Sequence, residues 1–513
     1  MRTSGPADRR SGGGFLVLAL FMTASAPDRL SAQCPDGSPP PCRTTTRPSG
    51  PTGNSVAVLY FDNSSRDSAD AYLADGLTEE IIARLGQIER LHVASRFAVR
   101  RFRDSAAADP AALGRSLGVA HLVSGSVRRV SDRLLVTVEL LRATSGRQLW
   151  NQRFDRNDTN LLAIEQEISQ AVTTAIAGRL LPAERAAVAA RPTRNGVAYD
   201  HYLRGNFLIA QRRQPAAVRA LDEYTRATET DPLFTQAWAR LALAYLLFPG
   251  WDWVHPGLPT DSLIARGIAA ADRALRLDSL SSDAWVARGM ALPLSGHPPA
   301  AGVVALERAV ALDPRNAEAW HQLGFTLLAA GRVDEAGSGY EHALVLEPLR
   351  AISLEELSQV RLAQMRFDEA RHLVDSAIVV EPTAYYYVRG AQLHLQAGDT
   401  VGARRSAVAA DSAAGHDEPL WGLTARALLA AIDHDTGAVH RAVNLLRQDS
   451  RGTSHVWAAI PLTLLGERDA ALDLLEEARA RYPYFWWLLR IMPEFGALAD
   501  DPRFQRLLEE SRP

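Results

Sequence analysis

The chain has 513 residues, 47% of them hydrophobic and 22% charged, with a formal net charge of −3. That length leaves room for two to four globular domains, and the charge gives no general attraction to nucleic acid. Lysine is absent and all 56 basic residues are arginine, so a GxxxxGK[ST] phosphate loop, a kinase-type lysine and a Schiff-base amine are excluded. No cofactor pattern stands out.

Residues 1–33 read as an export signal. Arg2, Arg9 and Arg10 precede an apolar run from Phe15 to Ala26, which is too short to span a membrane. Leu30-Ser31-Ala32 ahead of Gln33 offers one cleavage site, and Ala24-Ser25-Ala26 ahead of Pro27 another. Cleavage implies a periplasmic or cell-envelope protein; left uncut, the segment would anchor the chain to a membrane. The two cysteines, Cys34 and Cys42, follow directly. In an exported chain a local disulfide is the first reading. Lipidation comes second, because Gln33 stands where a small residue is wanted, and metal binding third, because two ligands without nearby histidine make no zinc site. Residues 34–53, rich in proline and threonine, read as a flexible tether.

Residues 54–190 alternate strands and helices, predicting an α/β domain with a mixed sheet. The β-branched run SVAVLYF (55–61) predicts a buried strand, and 72–85 a helix with Asp75 as cap and Glu79 and Glu80 near its positive end. A second strand (91–96) and a short helix opened by Pro110 (109–119) follow. Three strands (120–130, 133–143, 147–155) then run through turns at Ser131-Asp132 and Thr144-Ser145-Gly146 to a closing helix (161–180). The motifs AVLYFDNSS, YLADGLTEEIIARL, LGVAHLVSGSVRR and GRQLWNQRFD resemble the TolB-like amino-terminal domain family, related to the FlgO type. That resemblance implies a binding module without a catalytic constellation, often coupled to helical repeats. Residues 55–180 hold 16 arginines against 15 acidic residues, so the clusters Arg96/Arg100/Arg101/Arg103 and Arg128/Arg129/Arg133 read as surface pairing rather than a nucleic-acid footprint. His121 is expected to be packed inside a strand.

A break at Arg191–Gly196 is expected to separate two independently folding halves. From 197 to 485 one unit recurs. In RNAEAWHQLGFTLLAAGRVDEAGSGYEHALVLEP (315–348) two helices flank Gly331, and Pro348 stops the second. Asp313-Pro314, Glu347-Pro348 and Glu381-Pro382 are each 34 residues apart. Trp320, Leu323, Gly324, Ala336, Tyr340, Ala343 and Pro348 fall where the tetratricopeptide repeat has its consensus residues, so the segment resembles that family and implies an all-α helical-hairpin solenoid. About seven or eight units are expected, the second lengthened by an insertion, Gly250–Gly257. The aromatic-rich end (486–513) is expected to cap the last unit, with an exposed patch around PYFWW as the sharper reading.

The expected function is a non-enzymatic scaffold that binds protein through the concave face of the solenoid, with no nucleic-acid partner. A regulatory or accessory subunit whose α/β domain binds a small ligand, and a membrane-anchored signalling adaptor, are the alternatives. Family groove positions carried onto this chain select His321 and Phe325, then Glu355 and Gln359, then, in looser register, Tyr387 and His394. They describe a neutral, partly aromatic groove without the convergent cations of a carboxylate clamp.

Overall fold

The computed structural model describes residues 53–103, 109–157, 161–415, 419–449, 451, 453–481 and 486–510. The export segment, Cys34 and Cys42 and Pro483–Phe485 lie outside the described residues.

The first part of the described chain is a mixed sheet with helices on both faces. In order come β1 (Ser55–Val58), β2 (Asp62–Asn63), α1 (Ala71–Gly86), β3 (His92–Val93), α2 (Arg96–Arg100), α3 (Pro110–Leu117), β4 (His121–Val130), β5 (Arg133–Arg142), β6 (Arg147–Asn157), α4 (Leu161–Ala177) and α5 (Pro182–Ala189). Strand order is β3-β1-β4-β5-β6, with β2 on β4; β1 and β2 run parallel to β4, and β4, β5 and β6 are antiparallel. A two-residue turn joins β4 to β5, because Val130 pairs with Arg133 and Ser131 takes φ 57°, the positive dihedral such a turn demands. Leu134, Val136, Val138 and Leu140 alternate inward from β5 onto α1 and α4, whose Leu77, Ile81, Ile164 and Ile168 are fully buried. Val99 and Leu113, from α2 and α3, cover Ala57 and Leu122 on the other face. His121 is buried, its Nδ1 3.2 Å from the Ser55 carbonyl. Asp75 is not a cap: α1 starts at Ala71, and Asp75 lies one turn inside, paired with Arg103.

Eight helix pairs follow among the described residues: α6 (Gly196–Ile209) with α7 (Gln214–Thr230), α8 (Thr235–Gly250) with α9 (Thr260–Leu277), α10 (Ser282–Leu294) with α11 (Pro299–Leu312), and α12 (Ala317–Ala329) with α13 (Val333–Leu346). Then come α14 (Ala351–Ala363) with α15 (Phe367–Val380), α16 (Ala384–Gln396) with α17 (Thr400–Ala414), α18 (Pro419–Ile432) with α19 (Thr436–Arg447), and α20 (Ser454–Leu465) with α21 (Arg468–Arg481). Short 3-10 segments, Trp486–Arg490 and Pro493–Leu498, and α22 (Pro502–Glu510) close the end, with Phe495, Leu498 and Phe504 buried in the last core cluster.

Local chemistry explains the regularity. Asp231, Asp313, Glu347 and Glu381 end their helices in extended backbone at φ −135°, −138°, −133° and −145°, the conformation a following proline imposes. Trp238, Trp285 and Trp320 each donate their indole N–H to a carbonyl six residues back, at 3.1, 2.9 and 2.9 Å, stapling the inter-pair turn to the next helix. Inside each pair a left-handed residue turns the chain. Gly296, Gly331, Gly398 and Gly466 serve four pairs; Arg212, Asp252, Met365 and His434 take φ 50–60° in the others, a region that disfavours side chains with a Cβ.

The break at 191–196 does not separate two cores. Tyr199, Tyr202 and Leu203 of α6 belong to the same buried cluster as α1, α4 and β5. The Tyr199 hydroxyl donates to the fully buried Glu165 at 2.8 Å, and Arg84 reaches Glu165 at 3.5 Å and the Val188 and Ala190 carbonyls at 3.0 and 2.8 Å. Burial first, and the charge of Glu80 second, push the Glu165 carboxyl well above the usual carboxylate range. The Tyr72 hydroxyl donates to Asp200 and accepts from Arg129 and Arg204, at 3.1 and 2.8 Å. α6 is at once the first repeat helix and a layer over the α/β domain, so the two parts share one buried core.

Candidate protein-binding cavity of the solenoid

The first helices of successive pairs line a cavity of about 1250 Å3 that runs from α8 through α10, α12, α14, α16, α18 and α20 to Met492 beside the closing segment. Its mouth is bridged by the insertion after α8. Asp252 Oδ2 accepts from both the backbone N–H and the hydroxyl of Thr453 at 2.7 Å, a contact between residues 201 positions apart. The insertion is itself pinned: the Trp253 N–H donates to the Phe248 carbonyl at 2.8 Å, Gln214 donates to the Val254 carbonyl at 2.7 Å, and the Trp253 and His255 rings pack on Phe248. In the sequence the insertion reads as an interruption of the period, whereas in the fold it joins the second pair to the eighth. Its tryptophans, Trp251 and Trp253, were the available signal.

The structure brings together three of the residues carried over from the family groove: His321, Phe325 and Gln359 all line the cavity. His321 is buried with Nδ1 2.9 Å from Ser353 Oγ; burial, then the nearby Arg350 charge, bring its pKa down to about 3, so it is neutral at physiological pH. Gln359 donates to Glu355 at 3.1 Å and to Glu356 at 3.4 Å. Glu355 lies behind the wall, fully buried, accepting from Arg389 Nε and the Tyr385 hydroxyl at 2.9 Å each. Burial and then the Glu355 charge raise Glu356 well above the usual carboxylate range.

Tyr387 and His394 are not on the lining. Tyr387 is half-buried against the last core cluster, and His394 lies 2.9 Å from Asp399 at the turn into α17. The places expected for them are taken by Tyr385, Tyr386 and Arg389. Tyr387 and His394 both stand off the 34-residue register of His321 and Phe325: two periods beyond His321 comes Arg389, which does line the cavity.

The wall is more aromatic than expected. Tyr385, Trp421 and Trp457 form a chain of rings with centroids 4.9 and 5.2 Å apart across α16, α18 and α20. Arg212, Arg213, Arg389 and Arg451 reach the lining together with Gln211 and Gln322, against the acidic Asp252, Asp261, Glu356 and Glu381. Arg389 holds three elements at once, bonding Glu355, Gln392 at 2.5 Å and Glu494 at 3.4 Å. Arg451 is tied to Asp449 at 2.7 Å. Among the described residues no cluster of three or more His, Cys, Asp or Glu side chains is spaced to hold a metal ion, and no helix is long and apolar enough to cross a membrane.

Two family models match separate parts of the chain. Residues 52–171 match the family described as HilA/YgeH-like transcriptional regulator, second domain, and residues 305–337 match a tetratricopeptide repeat model. A Rhizobium meliloti (strain 1021) protein named as an adenylate cyclase is 30% identical over 227 residues, 44% of this chain; the match spans 38% of that protein's length. Among solved structures, Pseudomonas aeruginosa PilF is 20% identical with a TM-score of 0.34, covering 42% of this chain and 90% of its own. The human IFIT1 dimer with m7Gppp-AAAA is 16% identical with a TM-score of 0.44, covering 63% and 85%. With its 34-residue period, its paired helices and the repeat model matched at residues 305–337, the helical part of this chain is a tetratricopeptide-like solenoid behind an amino-terminal α/β domain.

Proposed function

We propose that the chain is a non-enzymatic scaffold whose solenoid cavity binds a segment of another protein. The observation that carries this reading is the continuous aromatic wall of Tyr385, Trp421 and Trp457 facing Phe325 and Met492 across a cavity built from the first helices of successive pairs. Half-buried tryptophans and tyrosines of this kind are the side chains that dominate binding energy in protein interfaces. A pull-down with the chain as bait identifies the partner, and calorimetry then tests the site. Replacing Phe325 and Trp421 together by alanine is expected to weaken binding by roughly 1–3 kcal/mol with helicity unchanged. Wild-type affinity in that variant moves binding out of the cavity.

Export to the periplasm or cell envelope is part of the proposal and rests on the basic start and apolar run of residues 1–33. The native protein is then expected to begin near Gln33 on amino-terminal sequencing, and a product that starts at Met1 in a soluble cytosolic fraction contradicts it. An uncut segment in the membrane fraction selects the anchored form instead.

A regulatory or accessory role is the second reading. It is favoured by the match of the α/β domain to a regulator's second domain and by the partial likeness to a protein named as a cyclase. The TolB-like resemblance of the same segment points to a binding module as well. Small-molecule stabilisation in a thermal-shift screen favours this reading, because only a ligand that binds the native state raises the melting temperature.

A further inference from the structure

The arginines of the cavity wall are not equivalent. Arg389 and Arg451 are bonded to carboxylates, and Arg213 also has a partner. Arg212 has none. It occupies the left-handed turn position between α6 and α7, its guanidinium 5.9 Å from the centroid of the Trp251 ring, and its Nη1 is buried without a hydrogen-bond acceptor. A buried guanidinium N–H left without an acceptor is unfavourable.

The acidic groups around the same space do not answer it. Asp252 accepts from Thr453, Asp261 has its own partner, Glu356 accepts from Gln359 and Tyr340, and Glu381, at the end of α15, makes no ion pair with Arg212 among the described residues. The positive charge nonetheless faces the cavity, where it acts on His321 of α12 and on Tyr386 of α16. Trp251, Phe325, Trp421 and Trp457 line the same cavity.

We propose that the segment bound in the cavity is apolar and carries one carboxylate, which Arg212 receives against the face of Trp251. This rests on the reading that the cavity binds protein. Charge complementarity selects the carboxylate: Arg212 has no acidic partner among the described residues, and a charge-assisted bond to a carboxylate supplies the acceptor that Nη1 lacks. Size favours a peptide over a small ligand, since about 1250 Å3 exceeds the roughly 300–1,000 Å3 of ordinary small-molecule sites.

The test is a random-peptide display library panned against the full chain. Recovered peptides should be enriched in aspartate or glutamate flanked by leucine, phenylalanine or tryptophan. A synthetic copy of one such peptide should bind roughly tenfold more tightly than its analogue with glutamine at the acidic position. The two should bind alike to Arg212→Gln, and the preference should persist in Arg212→Lys, both variants being checked for an unchanged thermal melt. Neutral apolar peptides with no acidic enrichment overturn the carboxylate and leave the cavity reading standing; so does an acidic preference that survives in Arg212→Gln. Recovery of no peptide overturns both. If Arg212→Gln fails to fold, Arg212→Lys carries the assignment to this residue, and the comparison of acid with amide on the unmodified chain still decides the carboxylate.

Discussion

Replacing Arg389 by methionine is expected to lower the stability of the chain by roughly 3–5 kcal/mol, the range found when one partner of a buried ion pair is removed. The guanidinium is 4% exposed and Glu355, its main partner, is 0% exposed, so the substitution leaves a carboxylate in the interior without its cation. The Tyr385 hydroxyl and Gln359 still donate to Glu355, but neither neutralises it. Because Arg389 also reaches Glu494 at 3.4 Å, the damage should spread from α14 and α16 to the closing segment, exposing its apolar face. Denaturant unfolding followed by circular dichroism measures the loss. The double variant Glu355→Leu/Arg389→Met should recover at least half of it, because an apolar pair of similar volume removes the desolvation problem. A loss below about 1 kcal/mol, the value of an exposed pair, means that the network does not hold these elements together.

The second large effect is expected at Tyr199. Its ring is 1% exposed, stacked 5.9 Å from Tyr202 and 6.4 Å from Phe234, and its hydroxyl donates to Glu165. Alanine here removes a buried aromatic side chain, at a cost of roughly 3–5 kcal/mol. It also strips Glu165 of a donor in a place water does not reach. The position decides more than the magnitude does, since Tyr199 lies where the α/β domain and the first repeat share one core. Thermal melts followed by tryptophan fluorescence and by far-ultraviolet circular dichroism should shift down together in the variant. If the sheet-bearing half melts alone and the repeats keep their wild-type midpoint, the shared core is not a cooperative unit.

Short-range chemistry determined most of the architecture. Paired helices at a fixed period, glycine between them and Asp-Pro or Glu-Pro after them are legible because each acts within a few residues of its own position: a left-handed turn, an extended cap, an indole stapled six residues back. The alternating β5 and the two-residue turn at Ser131-Asp132 could be read for the same reason. His321, Phe325 and Gln359 could be placed on the concave side because they sit in units that keep the period.

Everything that depends on phase or on distance along the chain was decided by the tertiary structure. Tyr387 and His394 stand off the period, and the fold put Tyr385, Tyr386 and Arg389 on the lining of α16 instead. Trp421 and Trp457 belong to pairs whose consensus has faded, so nothing local marked them as facing the same space. The continuous core across Arg191–Gly196 arises because α6 has an apolar side toward α1 and another toward α7, and periodicity shows that a helix has apolar faces but not what each will cover. The contact of Asp252 with Thr453 joins residues 201 positions apart. It exists only because the stacked pairs curve far enough to bring the second against the eighth, a sum of small rotations that no single repeat encodes.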